Sequence, residues 1–393
     1  MNASRTETSN RLSANREVDR GGAGARFLDA GVFERLLALL VQQGHVLVGP
    51  TVRDGAIVYD EIDGVEDLPR GVREVHGAGS YRLEQTGDGY FFSWAHGHDS
   101  AKRFLFPPRD LRQVTERDEH GHLEIERVPL PEVNYAFVGL RPCDLHAIEI
   151  QDRVFLLAGA SYRARREDAI FISVNCGHPG ATCFCASMHT GPRSSMGFDI
   201  ALTEIEEGFT AEVGTDRGAE LLEALDVPDA GFEQVSAALR VTRVAERQMQ
   251  RTLDTSDLPG LLYRNREHPQ WEEVGARCLT CTNCTMVCPT CFCYDIVDSV
   301  SLDGTTAQRS REWSSCFTEE FSHMASGSVR SSAASRYRQW LTHKFAAWID
   351  QFESSGCVGC GRCITWCPVG IDVTEEIKAI RASDGGFDLE EVR

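Results

Sequence analysis

The chain has 393 residues, a formal net charge of −19 and fifteen cysteines. Its length allows two or three domains with a sizeable core, so disulfide bonds are not needed to stabilise the fold. A chain this acidic repels nucleic acid, and we therefore expect no nucleic-acid partner. We find no apolar run long enough to span a membrane and no export signal at the amino terminus, which predicts a cytoplasmic protein with reduced thiols.

The amino-terminal part of the chain begins with a polar segment. Residues 1–25 are polar and poor in apolar side chains, which predicts a disordered tail. Apolar residues at helical spacing then predict a helix over residues 27–44. Short runs of β-forming residues, bounded by glycine and aspartate, follow at 45–52, 55–62 and 89–94.

The next part of the chain alternates buried strands with helices. This alternation is typical of an α/β or α+β domain, which we place at residues 26–230. A longer helical pattern at 231–253 predicts a helical connector over residues 231–264. Within the α/β part, the patterns predict strands at 134–140, 168–176 and 208–214 and helices at 144–156 and 217–225.

Residues 265–393 carry cysteine motifs and helical patterns, and no run among them reads as a convincing strand. Helical spacing is visible at 311–326 and at 329–352. We therefore predict an all-α domain of the two-cluster, α-helical ferredoxin type, with a helical insertion between its two cysteine motifs.

Two stretches share the spacing C-x2-C-x2-C-x3-C-P, which bacterial ferredoxins use to bind 4Fe–4S clusters. The two-residue gaps let one tight loop point three thiolates at one cluster, while backbone N–H groups face the sulfur atoms and offset their charge. Zinc sites use two ligand pairs with a longer gap, so the spacing favours iron–sulfur chemistry. The first stretch comprises Cys278, Cys281, Cys284, Cys288 and Pro289, and the second Cys357, Cys360, Cys363, Cys367 and Pro368.

The fourth cysteine of such a motif normally binds the cluster of the other motif. This rule assigns Cys367 to the first cluster and Cys288 to the second. The predicted ligands are therefore Cys278, Cys281, Cys284 and Cys367 for one 4Fe–4S cluster, and Cys357, Cys360, Cys363 and Cys288 for the other.

Four further cysteines lie in the α/β part of the chain. Cys143 and Cys176 follow the ends of two predicted buried strands, where α/β sheets place their sites. Cys183 and Cys185 form a C-x-C pair shortly afterwards. Four thiolates in one place suit a third 4Fe–4S cluster, and they also suit a zinc ion. The remaining alternative is that these four cysteines are ordinary buried thiols.

Three cysteines remain after these assignments. Cys291 and Cys293 form a second C-x-C pair directly after the first motif, and Cys316 lies further along the chain. Together with a fourth ligand, for which His323 is available, they are a candidate additional metal site. Packing without a metal is the alternative.

The surroundings of a 4Fe–4S cluster set its reduction potential. An acidic protein lowers this potential, whereas backbone N–H groups and nearby Arg141, Arg277 or Arg362 raise it. No phosphate-binding glycine loop follows a strand, so we expect no dinucleotide site on this chain.

Six segments occur in an order typical of a known family: GLRPCDLHAIEIQDRVFL, SVNCGHPGATCFCASMHTGP, GFDIALTEI, CLTCTNCTMVCPTCFC, REWSSC and SGCVGCGRCITWCPVGID. They resemble the β (iron–sulfur) subunit of cytosolic NAD(P)-linked NiFe hydrogenases, also called sulfhydrogenases. The similar iron–sulfur subunit of anaerobic sulfite reductases shares most of the pattern. The resemblance covers residues 27–380, and the block from RPCD to CFC makes it specific.

This resemblance implies a non-catalytic electron-transfer subunit of an oxidoreductase complex. The implied partners are a flavin subunit that binds NAD(P)H and the small and large subunits of a NiFe hydrogenase. Members of the family hold cysteine sites beyond the ferredoxin pair, which favours the third cluster. The equivalent subunit of a sulfite reductase and a cluster-based redox sensor are the alternative functions.

Overall fold

The computed structural model describes residues 24–157 and 159–384. Its strands form one large sheet and three smaller ones. The strands are β1 (Arg26–Leu28), β2 (Val46–Arg53), β3 (Ala56–Glu61), β4 (Val72–Gly77), β5 (Ser80–Gln85), β6 (Arg109–Arg117), β7 (Leu123–Arg127), β8 (Tyr135–Leu140), β9 (Ile170–Val174), β10 (Ile200–Ile205), β11 (Gly208–Val213), β12 (Tyr294–Val300), β13 (Thr306–Trp313), β14 (His323–Met324) and β15 (Gly327–Ser328).

The helices range from single turns to seventeen residues. A π-helical turn, His343–Ala347, joins two of them, and short 3-10 turns lie at Val65–Asp67 and Glu320–Ser322. The α-helices are α1 (Ala30–Gln42), α2 (Lys102–Leu105), α3 (Pro142–Phe155), α4 (Ala160–Arg166), α5 (Asp216–Ala224), α6 (Phe232–Gln248), α7 (Leu258–Arg264), α8 (Gln270–Arg277), α9 (Asn283–Met286), α10 (Ala333–Thr342), α11 (Trp348–Phe352), α12 (Arg362–Thr365) and α13 (Val373–Ala382).

The large sheet has the strand order β1-β11-β10-β9-β8-β2-β3. Its central strands β10, β9, β8 and β2 run parallel, and antiparallel strands lie at both edges. Helix α1 buries Phe33, Leu36 and Leu40 in the hydrophobic core beside this sheet. The α/β character predicted for the first part of the chain is therefore confirmed, and so are its predicted strands at 134–140, 168–176 and 208–214.

The predicted strand at 89–94 is wrong, because side chains rather than a neighbouring strand satisfy the backbone there. Phe91 and Phe92 donate their N–H groups to the carboxylate of Glu204 at 2.7 and 2.8 Å. The carbonyl oxygen of Phe92 accepts a hydrogen bond from the buried guanidinium of Arg141. With these partners the segment stays irregular although its aromatic rings are buried.

The prediction of an all-α domain at 265–393 is also wrong. A four-stranded antiparallel sheet has the order β12-β13-β6-β7, so half of it comes from the carboxyl-terminal part and half from the α/β part. β13 is rich in polar residues and pairs with β6, from which it is far separated in sequence. A polar strand with a distant partner gives little periodic signal in its own sequence.

The helix predicted at 311–326 is wrong as well. This stretch contains the end of β13, a 3-10 turn and β14, which pairs with β15 in a small hairpin. The helical pattern at 329–352 is confirmed, since α10, the π-helical turn and α11 occupy it. Trp340 and Leu341 of α10 pack with Ile377 of α13 in a second hydrophobic core.

The predicted division into domains stays a prediction. Most of the predicted disordered tail, residues 1–23, lies outside the described residues. The predicted connector includes α6 and α7. Across the described ranges, no helix is both long and apolar enough to cross a membrane.

Candidate iron–sulfur centres

The first cysteine motif surrounds a cavity that we call the outer cavity. Cys278 lies at the end of α8 and Cys284 lies in α9. Cys367 comes from the second motif and borders the same cavity. Cys281 is exposed, so the outer cavity lies at the protein surface. The structure thus brings Cys367 to the first three cysteines of the other motif, as the spacing rule predicts; their binding of a cluster stays a prediction.

A second cavity, the inner cavity, is lined by the remaining cysteines of the two motifs. Cys288 of the first motif borders it together with Cys357, Cys360 and Cys363 of the second. Cys363 borders the outer cavity too, so the two cavities are neighbours. This geometry places two groups of four cysteines next to each other, which suits the transfer of electrons between two clusters.

The loops of the two motifs have the same backbone conformation. Thr280 and Thr282 of the first motif have positive φ angles of 51° and 70°, and the equivalent Gly359 and Gly361 have 66° and 78°. In each loop a backbone N–H faces the first cysteine: Thr280 donates to Cys278 Sγ and Gly359 to Cys357 Sγ, both at 3.4 Å. Such N–H···S bonds offset negative charge on the sulfur ligands.

Only the second motif requires glycine at these positions, because another chain segment covers it. A Cβ atom on Gly359 would lie 2.8 Å from the backbone of Cys185, and one on Gly361 would lie 2.3 Å from the carbonyl oxygen of Thr182. The first motif has no such cover at Thr280, which explains how threonine is accommodated there at some cost in backbone strain.

In Cys288 a hydrogen bond with Cys291 lowers the pKa well below its usual value, whereas burial dominates at the other deeply buried thiols. Burial raises the pKa of Cys284 and Cys363 well above the usual value and raises the pKa of Cys357 to about 12. Iron binding would therefore release protons, as it does at other thiolate sites. Four cysteine sulfurs around each cavity, with N–H donors aimed at them, fit the ligand set of a 4Fe–4S cluster.

The four cysteines of the α/β part are all buried. Cys143 lies in the first turn of α3, after β8, and Cys176 follows β9. Burial raises the pKa of Cys183 well above its usual value, and the neighbouring thiols of Cys185 and Cys176 act in the same direction. His96 Nε2 lies 3.6 Å from Cys183 Sγ.

The segment from Thr182 to Cys185 lies directly against the second motif. Phe184 donates its N–H to the carbonyl oxygen of Gly359 at 2.8 Å, and the thiol of Cys183 lies 3.6 Å from the carbonyl oxygen of Cys360. Cys143, Cys185 and Cys360 belong to one buried cluster of side chains. The candidate third site is therefore adjacent to the inner cavity.

The remaining three cysteines lie on the other side of Cys288. Cys291 is hydrogen-bonded to Cys288, and Cys293 is hydrogen-bonded to Cys316. His323 is exposed in β14. Between residues 24 and 384, Ala158 apart, no three His, Cys, Asp or Glu side chains are arranged to hold a single metal ion. A metal at Cys291, Cys293 and Cys316 stays a prediction.

Two buried lysines beside Cys288 were missed by sequence reasoning. Burial alone would lower the pKa of Lys344, but the thiolates of Cys288 and Cys291 outweigh it and raise this pKa well above its usual value. Burial lowers the pKa of Lys102, against the opposing charges of Cys291 and Cys288. A lysine within an ordinary amphipathic pattern gives no signal that its ammonium group is buried, so the sequence could not reveal either residue.

Two adjacent cavities, each bordered by one of the two groups of four cysteines, together with thiol-directed N–H groups, define an iron–sulfur electron-transfer protein of the dicluster ferredoxin type. A family described as a 4Fe-4S dicluster domain matches residues 277–371, in agreement with this class. Sulfhydrogenase 2 subunit beta of Pyrococcus furiosus is 30% identical over 293 residues, which cover 71% of this chain and 82% of that relative. The chain belongs to the family of sulfhydrogenase beta subunits. No solved structure gives a significant match to it.

Proposed function

We propose that this protein is the iron–sulfur subunit of a cytoplasmic NAD(P)-linked NiFe hydrogenase. It relays electrons between a flavin subunit that binds NAD(P)H and the small and large subunits that carry the nickel–iron centre. The observation that carries the proposal is the pair of adjacent four-cysteine cavities in a member of the sulfhydrogenase beta family. The protein itself forms and breaks no bonds in a substrate.

The ligands follow the crossed arrangement. Each 4Fe–4S cluster, when bound, accepts and releases one electron at a time. The outer cluster is held by Cys278, Cys281, Cys284 and Cys367, and the inner cluster by Cys357, Cys360, Cys363 and Cys288. The exposed Cys281 places the outer site where a partner subunit can approach, and the buried Cys360 keeps the inner site away from water.

A third 4Fe–4S cluster is proposed for the α/β part. Its ligands are Cys143, Cys176, Cys183 and Cys185, which are all buried. Their contact with the second motif supports a three-site chain that runs from the α/β part through the inner site to the outer site. Such a chain accepts the two electrons of a reduced flavin one at a time.

The test is elemental analysis of the complex purified without oxygen from its native host. We expect about one nickel per copy of this chain, and an iron content that, after subtraction of the partners' iron, corresponds to three clusters rather than two. Reduction by NADPH or NADH of the purified complex, followed by EPR, then shows whether the clusters accept electrons from the nucleotide. Iron without nickel would contradict the hydrogenase assignment and favour the sulfite reductase subunit. Clusters that never become reduced would favour a redox sensor.

A further inference from the structure

Lys344 is buried against the inner cavity and its ammonium group is fully hydrogen-bonded. The residue is 6% exposed and lies in the π-helical turn. Its Nζ donates to Cys288 Sγ at 3.3 Å, to Thr290 Oγ1 at 2.8 Å and to the carbonyl oxygen of Gly356 at 3.3 Å. Three acceptors match the three protons of a charged ammonium group, whereas a neutral amine has only two protons to donate.

Lys102, which lies in α2 of the α/β part, contacts the same cysteine. It is also 6% exposed, and its Nζ donates to three backbone carbonyl oxygens, of which that of Cys288 is nearest at 3.0 Å. The ring of Trp313 lies 3.9 Å from this nitrogen, in a cation–π contact. Two buried cations therefore contact Cys288, one at its sulfur atom and one at its carbonyl oxygen.

Neither lysine is paired with a carboxylate in the part of the chain that the structure describes. The buried Arg362 of the second motif, by contrast, is paired with Asp144 at 2.8 Å. A buried charge without a counter-charge is costly. A cluster bound in the inner cavity would supply the negative charge that offsets both lysines.

The outer cavity has no comparable cation. Its described lining contains the four cysteines with Cys363, further apolar and small polar side chains, and the aromatic rings of Phe317, Tyr337 and Trp340. No lysine or arginine is among the described residues that line it. The two sites therefore have the same kind of ligand and the same loop conformation. They differ in the charge of their surroundings, because only the inner site has buried lysines beside it.

We propose that Lys344 and Lys102 make the inner cluster the more easily reduced of the two, so that the first electron to enter the dicluster domain resides there. This inference rests on the proposed function and adds the order in which its two cluster sites are reduced. Reduction adds one negative charge to the cluster and its sulfur ligands, and two buried cations stabilise that charge in a medium of low dielectric constant. The hydrogen bond from Lys344 to Cys288 acts in the same direction. Lys344 and Lys102 are thus potential-setting residues, and neither takes part in a chemical step.

The experiment is a redox titration of the full chain, prepared without oxygen and followed by EPR. Iron and sulfide per chain are measured first, in the wild type and in Lys344→Met, Lys102→Met and Lys344→Arg. Lys378→Met serves as the matched control, since it removes an exposed lysine from α13. Cys288→Ser and Cys367→Ser assign the EPR signals to the inner and outer sites.

We expect Lys344→Met to shift the inner potential downwards by about 59 mV or more, a tenfold change in a one-electron equilibrium, with the outer potential unchanged. Lys102→Met shifts the same site in the same direction, and Lys344→Arg and Lys378→Met leave it close to the wild type. An equal shift of both sites, or no shift in either Met variant, overturns the inference.

The proposed function fails in a distinguishable way. A wild-type chain without 4Fe–4S signals contradicts the proposed function, whereas normal signals with unshifted potentials contradict only the role of the lysines. If Lys344→Met loses the inner cluster, Lys102→Met becomes the variant that tests the inference. In the wild type, Nζ of Lys102 contacts the carbonyl oxygen of Cys288 and not its sulfur atom. If the Lys102→Met chain keeps its iron and the reduction potential of its inner site does not shift, the inference is rejected.

Discussion

Cys367 belongs to the second motif by sequence and borders the outer cavity in space. We expect Cys367→Ser to remove the outer cluster, which is formed mainly by the first motif, and to leave the inner cluster in place. The reason is that a 4Fe–4S cluster with three thiolate ligands is labile, whereas the four ligands of the inner site remain. Iron content and EPR of the full chain, prepared without oxygen, measure the loss.

Cys288→Ser provides the reciprocal variant, and we expect it to remove the inner cluster. Cys293→Ser is the matched control, since Cys293 follows the first motif but contacts Cys316 instead of either cavity. The crossed arrangement would be rejected if Cys367→Ser removed only the inner cluster and Cys288→Ser removed only the outer cluster.

The cysteine groups follow from the sequence, because a tight loop with fixed gaps has few conformations and its chemistry is local. The spacing rule predicts which cysteines approach each other, and it predicts the N–H groups that face Cys278 and Cys357. Lys344 is different. Its place beside Cys288 depends on how a helical segment packs on a distant loop, and no pattern within the segment contains that information.

Strand β13 shows how the second sheet is held together. It lies between β12 and β6, so both of its edges are paired, while every residue of β12 is exposed and that strand is an edge. In a strand with a neighbour on each side, the backbone amides are hydrogen-bonded in both directions and exchange slowly. In an edge strand, half of the amides face solvent. We expect peptides from Thr306–Trp313 to exchange their amide hydrogens with solvent about tenfold more slowly than peptides from Tyr294–Val300.

Hydrogen exchange with mass spectrometry of the reduced full chain measures both segments in one experiment. The buried strand β9 serves as the slow reference. Equal, fast exchange in β12 and β13 would show that the four-stranded sheet does not persist in solution.

Elements with an apolar period are predictable from this sequence, and elements that depend on distant polar partners are not. The helix at 27–44 and the buried strands at 134–140 and 168–176 are found as α1, β8 and β9. β13 escapes prediction because it is rich in polar residues and one of its partners, β6, comes from another part of the chain, and β12 pairs with β13 alone. The aromatic run at 89–94 is wrongly predicted as a strand. The carboxylate of Glu204 accepts the backbone hydrogen bonds that a neighbouring strand would otherwise accept.

Arg362 and Asp144 form a buried ion pair that connects the two parts of the molecule. Arg362 lies between the second and third cysteines of the second motif, and Asp144 lies in α3 next to Cys143; their side chains are 0% and 1% exposed. Their two hydrogen bonds, at 2.8 and 3.3 Å, form a bidentate pair. Asp144→Asn leaves Arg362 buried without a counter-charge, and we expect it to destabilise the protein by about 3–5 kcal/mol. The urea midpoint of the cluster-loaded chain measures this loss.

Asp298→Asn is the control for that variant. Asp298 pairs with Arg309 at 2.7 Å on the surface, where both side chains are more than half exposed. Removing such a pair costs about 1 kcal/mol at most. A similar, small effect of both variants would show that the Arg362–Asp144 pair does not hold the two parts together.

The sheet shared by the two halves has an evolutionary consequence. The carboxyl-terminal part depends on the α/β part at two places: β6 completes its sheet, and the segment from Thr182 to Cys185 covers its second cysteine loop. A duplicated or transplanted copy of residues 265–393 would expose the edge of β13 and the glycines of that loop. Substitutions at these contacts in one half are therefore expected to require compensating substitutions in the other half.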